Sequence, residues 1–293
     1  MKNSLSWLLI SPDAVKRGWL GWLLSGAVAR TGGLELVWAG LVDQPGGRAA
    51  LLVLRGEDAV NKLSSAVGSA NEAGSLVAML GEGTVSAAKP GSDVIAELGK
   101  FADAQADGLA VPVAASAQRS LVLVKPDNFE FPGTRPGAVL DVFSRTGLVP
   151  VAIKLHHMSV AEGMEFYGPV LDALTERFGA EKGREHWENI VEFMAGSRPS
   201  AVAEKDHANP GTRKILALVF EGPDAVTKIR TVLGPTDPAK APPGTIRKEF
   251  GTSIMVNAAH ASDSPENAQR EFGIVRVTDN SLKGFVESAA TAA

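Results

Sequence analysis

The sequence predicts an α+β chain built from two α/β sandwich units in tandem, each a mostly antiparallel sheet with helices packed on it. Three observations predict it. Two apolar runs, residues 7–10 and 120–124, lead into the same Pro-Asp pair, Pro12-Asp13 and Pro126-Asp127. Each is followed by a helix-period pattern and then by a second apolar run. Two later runs, residues 50–54 and 216–220, are each followed by a Gly turn and Asp-Ala-Val, at Asp58-Ala59-Val60 and Asp224-Ala225-Val226. The order strand, helix, strand, strand, helix is therefore written twice.

In the first copy, residues 5–10 predict a strand, 19–30 a helix, 34–41 and 50–54 two strands, and Asp58 the opening of another helix. Residues 68–104 are rich in Ala, Gly and Ser and match nothing in the second copy. Small residues over 110–118 mark the boundary, giving units 1–115 and 116–293. The second copy repeats the pattern with a strand over 120–124, a helix over 137–145 and a strand over 148–155. The Pro-Asp pairs lie 114 residues apart and the Asp-Ala-Val segments 166, so the second copy holds 52 extra residues after its second strand. These predict two amphipathic helices, 159–178 and 184–194, and an exposed loop over 196–213.

Composition narrows the function. The 293 residues are 45% hydrophobic and 21% charged, a globular balance. A net charge of −4, with no stripe of basic and aromatic residues, offers nothing to nucleic acid or an anionic membrane. There is no cysteine, which excludes disulfides, a thiol nucleophile and Cys-ligated metals. No apolar stretch is long enough for a membrane helix. Asp13, Lys16 and Arg17 interrupt the N-terminal apolar region, so it reads as a strand and helix rather than a leader, and a cytoplasmic protein is expected.

No P-loop motif occurs, and Gly81-Glu82-Gly83 is followed by Ser86 where a dinucleotide loop needs glycine. Of the five histidines, His156, His157, His186 and His207 lack metal-ligand spacing. His260 is set apart by its company. It ends a short apolar run, just before a helix capped by Ser264 with Pro265 at its first position and Glu266 in its first turn. Glu271 on that helix can reach back to orient the imidazole. Arg230, Thr236, Lys240, Arg247 and Lys248 surround a Gly/Pro-rich loop over 234–244, a pattern suited to phosphate.

Residues 119–277 resemble the nucleoside diphosphate kinase family. The hallmark N-x-x-H-x-S-D-S stands here as Asn257-Ala258-Ala259-His260-Ala261-Ser262-Asp263-Ser264. The preceding loop appears as Gly234-Pro235-Thr236-Asp237-Pro238 and Pro243-Gly244-Thr245-Ile246-Arg247, and the first strand ends in Val124-Lys125-Pro126-Asp127. The resemblance implies ferredoxin-like sandwiches with four-stranded antiparallel sheets, the second carrying an inserted helical hairpin. It also implies transfer of the γ-phosphate of a nucleoside triphosphate such as ATP to a nucleoside diphosphate, with a phosphohistidine on His260 between the two steps.

Under that resemblance Lys125, Arg230, Thr236, Arg247 and Asn257 hold the phosphates, Lys125 and Asn257 lying also near the sugar. Glu271 hydrogen-bonds His260, Ser262 supports Glu271, and Tyr167 helps seat the imidazole. Asp263 helps place a magnesium ion carried mainly by the phosphates. The base is clamped between Trp187 and Ile254, although Trp187 also reads as a core residue. Departures are Asp237 for Asn, Lys248-Glu249 for Gly-Asp, the longer loop after Met194 and a rearranged segment over 129–136. The first copy resembles the family weakly and lacks the site: Ser11 stands where Lys125 would be, and residues 1–117 contain no histidine. Family members assemble from dimers of this frame, so an intramolecular pseudo-dimer is expected, with further self-association open and two independent domains as its alternative. The rival function is a non-catalytic nucleotide-binding or scaffold protein on a kinase-like fold.

Overall fold

The computed structural model describes residues 3–105 and 117–291. The boundary expected between 115 and 116 lies outside the described residues. The first half contributes strands β1 (Asn3–Ile10), β2 (Glu35–Gln44), β3 (Gly47–Glu57) and β4 (Val85–Ala87). Its helices are α1 (Pro12–Lys16), α2 (Leu20–Thr31), α3 (Ala59–Val67), α4 (Leu76–Leu80) and α5 (Val94–Asp103). The second half contributes β5 (Gln118–Val124), β6 (Val149–His156), β7 (Ile215–Gly222) and β8 (Ala259–Ala261). Its helices are α6 (Arg135–Ser144), α7 (Val160–Phe166), α8 (Gly168–Phe178), α9 (Ala180–Ala195), α10 (Ala225–Leu233), α11 (Ile246–Phe250), α12 (Pro265–Val275) and α13 (Leu282–Thr291).

The two sheets have one topology, β2-β3-β1-β4 and β6-β7-β5-β8, and every pairing is antiparallel. The sequence explains the order. Residues 215–221 of β7 are all buried, as a central strand covered on both faces requires. In β1, from Ser6 onward, every second residue is fully buried, as expected for one face on the core. The second strand of each sheet breaks register at the same place, between Leu36 and Trp38 and between Pro150 and Ala152. Residues 68–104, unmatched at the level of sequence, contain the counterpart of the edge strand. Ser86 of β4 pairs with Leu9 as His260 of β8 pairs with Leu123.

Two local expectations are corrected. Asp58 and Asp224 precede α3 and α10 as expected, but neither side chain caps its helix. Both sit at positive φ, 54° and 55°, a conformation that Asp tolerates better than most residues. In the first half Ser4 Oγ accepts the Ala59 N–H instead, 3.0 Å away. The single helix expected over 159–178 is two, broken at Tyr167 because Pro169 opens the next helix. The expected loop over 196–213 is laced to the hairpin: Arg198 pairs with Glu192 at 3.4 Å, Ser200 donates to Glu188 at 2.6 Å, and the Ala161 N–H donates to His207 O at 2.9 Å.

The halves pack on one another. Helix α2 crosses α6 so closely that a Cβ on Gly21 would stand 2.2 Å from the Asp141 nitrogen, and one on Gly137 2.6 Å from Gly21 O. One apolar cluster runs through both halves, joining Leu23 and Leu24 to Val139 and Phe143. The second strands face each other edge to edge, and Asn280 Nδ2 donates to Ala39 O at 2.8 Å and to Ile153 O at 2.9 Å. Helix α13 then returns to the first sheet, where Leu282 is fully buried with Trp38, Val42 and Leu98.

Candidate active site

Each side chain singled out around His260 is placed by a short, tightly bonded piece of backbone. Strand β8 is held against β5, and the Ser262 N–H donates to Leu121 O at 3.1 Å, which fixes the chain on both sides of His260. Ser264 caps α12 by accepting the Asn267 N–H at 3.0 Å, with Pro265 at the first helical position. Helix α12 then turns Glu271 back toward the strand. His260 Nε2 lies 3.1 and 3.2 Å from the two Glu271 oxygens. Ser262 Oγ donates to Glu271 Oε2 at 2.6 Å and accepts the Leu121 N–H at 3.3 Å. A carboxylate only accepts, so this contact keeps the proton on Nε2 and leaves the Nδ1 lone pair for chemistry.

The imidazole is also packed. The rings of Phe166 and Tyr167 meet it edge-on, with centroids 5.0 and 6.4 Å away. Tyr167 is buried, and burial followed by the nearby Glu271 charge pushes its phenol well above the ordinary range. Tyr167 is therefore a neutral packing group beside His260.

Five of the basic and polar residues named from sequence are linked, directly or through their neighbours. Lys125 Nζ donates to Asn257 Oδ1 at 2.9 Å and to Met255 O, and lies 4.8 Å from the centre of the Phe193 ring. Burial lowers its pKa to about 8, against a smaller raising effect from Asp127. Asn257 Nδ2 donates to Thr236 O at 3.0 Å and to Ile254 O at 2.8 Å, joining this residue to the Gly/Pro-rich loop. Arg247 Nη1 donates to Gly234 O at 3.0 Å and Nη2 to Ala259 O at 3.2 Å, one residue before His260. Burial, and then the charge of Arg230, lowers the Arg247 pKa to about 10. The repulsion that Arg230 exerts on Arg247 is of a kind that a bound anion relieves. Arg230 and Thr236 are themselves exposed.

The expected base clamp is half corrected. Ile254 is open, 63% exposed. Trp187 faces the hairpin interior, 4% exposed, and its Nε1 donates to Tyr167 O at 3.0 Å. The reason lies in helical period: Trp187, Val191 and Met194 form the buried stripe of α9. His186, Ile190 and Phe193 form the other, and Phe193 is the residue that meets Lys125. His186 is exposed and rests on Phe178, ring centroids 4.8 Å apart. The signal was present in sequence, since the 187/191/194 stripe is the more apolar of the two.

Asp263 is exposed, with one oxygen taken by Asn267 Nδ2 at 2.6 Å. Among the described residues no three His, Asp or Glu side chains gather where they could cage a metal. A single exposed carboxylate fits only a divalent ion held mainly by oxygens other than the protein's, such as those of phosphate. No helix among the described residues is long and apolar enough to cross a membrane.

A family model described as nucleoside diphosphate kinase matches residues 118–279. A nucleoside diphosphate kinase from Anaeromyxobacter sp. (strain Fw109-5) is 36% identical over 154 residues, 53% of this chain and 86% of that protein. One from Staphylothermus marinus is 32% identical over 163 residues, 55% of this chain and 93% of that protein. Among solved structures, the Aquifex aeolicus nucleoside diphosphate kinase is 32% identical, with a TM-score of 0.41 over 54% of this chain and 94% of that one.

Proposed function

The chain belongs to the nucleoside diphosphate kinase family and is an enzyme of that activity, and from this premise we propose that His260 carries the phosphate between donor and acceptor nucleotides. The observation that carries the proposal is the His260–Glu271–Ser262 chain, which fixes the tautomer, set beside the cations Lys125, Arg230 and Arg247. In the first step the Nδ1 lone pair attacks the γ-phosphorus of ATP or another triphosphate. The bond to the bridging oxygen breaks, and its electron pair leaves on the β-phosphate of the diphosphate. The Nε2 proton stays in place, and Glu271 balances the positive charge that the ring gains. In the second step a terminal oxygen of a different diphosphate attacks the same phosphorus, and the P–N electrons return to Nδ1.

Lys125, Arg230 and Arg247 neutralise the oxygens of the moving group, with Thr236 and Asn257 holding the phosphates and sugar between them. Asp263 would help hold a magnesium ion carried mainly by the phosphates, and that ion would shield their charge. The base lies between Ile254 and the His186/Ile190/Phe193 stripe, which offers flat and aliphatic surface with little edge readout, so base discrimination is weak. Nucleotides are the substrates, which makes the cytoplasm the expected compartment. The first half serves as a degenerate copy that completes a pseudo-dimer within one chain. Its matching topology and Ser86 at the place of His260 support that reading. Mixing ATP with GDP and following GTP by chromatography tests the proposal. Wild-type protein should form GTP, and His260→Ala should fold and form none; turnover by that variant would refute the role given to His260.

A further inference from the structure

The rearranged segment after the Pro-Asp pair has acquired a use in the second half that its counterpart lacks. In the first half Arg17 pairs with Asp13 at 2.7 Å on the surface, both more than half exposed. In the second half the arginine stands eight residues after the aspartate instead of four, where Arg135 opens α6 and reaches back. Arg135 Nε donates to Asn128 Oδ1 at 3.0 Å, its Nη2 donates to Phe250 O, and the guanidinium lies 3.5 Å from Asp127 Oδ2. Asn128 is 2% exposed, and its Nδ2 donates to Lys125 O at 3.0 Å and Ala258 O at 2.7 Å. Asp127 Oδ2 accepts the Ala258 N–H at 3.1 Å.

Ala258 sits at φ +69°, where a residue with a Cβ is strained and must be held by its surroundings. Here both its N–H and its C=O are held from the same four-residue turn. The three segments tied together are those that end in Lys125, in α11 with Arg247, and in the turn two residues before His260. Every polar atom of the Asn128 amide group is used.

We propose that Asn128 and Arg135 are positioning residues for phosphoryl transfer. Asn128 sets the nucleophile's strand against Lys125, and Arg135 sets the helix that carries Arg247. The proposal rests on His260 as the phosphate carrier, and its test separates the two. Wild-type protein is first checked for label from γ-labelled ATP, and ADP affinity is measured by calorimetry with and without each change. Arg135→Met should raise the nucleotide KM and the ADP Kd about tenfold with kcat nearly unchanged, because ground-state phosphate binding is what is lost. Arg135→Lys should recover part of it. Asn128→Ala should lower single-turnover phosphoenzyme formation about 10²-fold at saturating ATP, the effect of a reacting group misplaced by about 1 Å. Melting temperatures are recorded alongside. Wild-type kinetics in both variants would overturn the proposal. So would a loss of KM and kcat together, in step with falling melting temperature and without rescue by Lys. An unlabelled wild type would instead overturn the role of His260, while the ADP affinities still test Arg135.

Discussion

At the residue scale, Lys125 gives the proposed phosphate site its clearest pH dependence. Its ammonium is buried among backbone and the Phe193 ring, and burial brings its pKa from 10.5 to about 8. Keeping it charged costs about 3 kcal/mol, taken at roughly 1.4 kcal/mol per unit. The sign follows. Between pH 8 and 10.5 the native side chain has released its proton and the unfolded one has not, so stability rises with pH over that window. Phosphate binding reverses the effect by favouring the charged form. ADP should therefore take up about one proton near pH 9, and kcat/KM should fall as pH rises through 8. Calorimetry of ADP binding in buffers of different ionisation enthalpy reads the proton directly; binding with no proton exchange at that pH would contradict the assignment of Lys125.

Much of this site was legible in the sequence, for a physical reason. His260, Ser262, Ser264 and Glu271 lie within one strand-to-helix connection, so spacing alone brings them together. Asn257 and Lys125 carried their own motifs. What spacing could not reveal was direction. Whether Trp187 or His186 faces the open side depends on which stripe of α9 finds a core, and that is decided by β5, β7 and the other helices of the hairpin.

At the element scale, the hairpin α7–α9 is a fixed structure rather than a loose lid. Arg270 Nη1 and Nη2 donate to the carbonyls of Glu165 and Phe166 at 3.2 and 3.3 Å, tying the end of α7 to the helix that carries Glu271. Trp187 fills its interior. Trp187→Ala should therefore cost about 3–5 kcal/mol of stability, the range for an aromatic lost from a core. Ile254→Ala, at an exposed position, should stay within about 0.5 kcal/mol and raise nucleotide KM instead. Denaturant melts and steady-state kinetics on both variants check the contrast, and the opposite pattern would restore Trp187 to the base. The strands and most helices were readable from apolar runs. Strand β4 was not, because three residues in a Gly/Ser-rich stretch carry too little pattern, and only pairing with β1 defines them.

At the scale of the whole molecule, two sheets of one topology share an apolar cluster, and the C-terminal helix of the second half closes over the first sheet. The repeat of Pro-Asp and Asp-Ala-Val predicted two copies, but no run of sequence announces which faces meet. Gly21 and Gly137 hold that information only in hindsight, since small residues matter where helices cross. Gly21→Val would drive a side chain into the backbone of α6 and should cost about 3 kcal/mol, with both halves melting together. A melt in which the second half is unaffected would mean that the halves are independent.

Whether one histidine in this chain carries phosphate between nucleotides is read directly by a single-turnover labelling experiment. Protein is mixed with magnesium and γ-labelled ATP for a single turnover, separated from nucleotide, and then given unlabelled GDP. The protein should carry label that survives alkali, is lost in acid, maps to His260 and passes to GTP. A folded protein that binds ADP yet never takes up label would contradict this and favour a kinase-like scaffold.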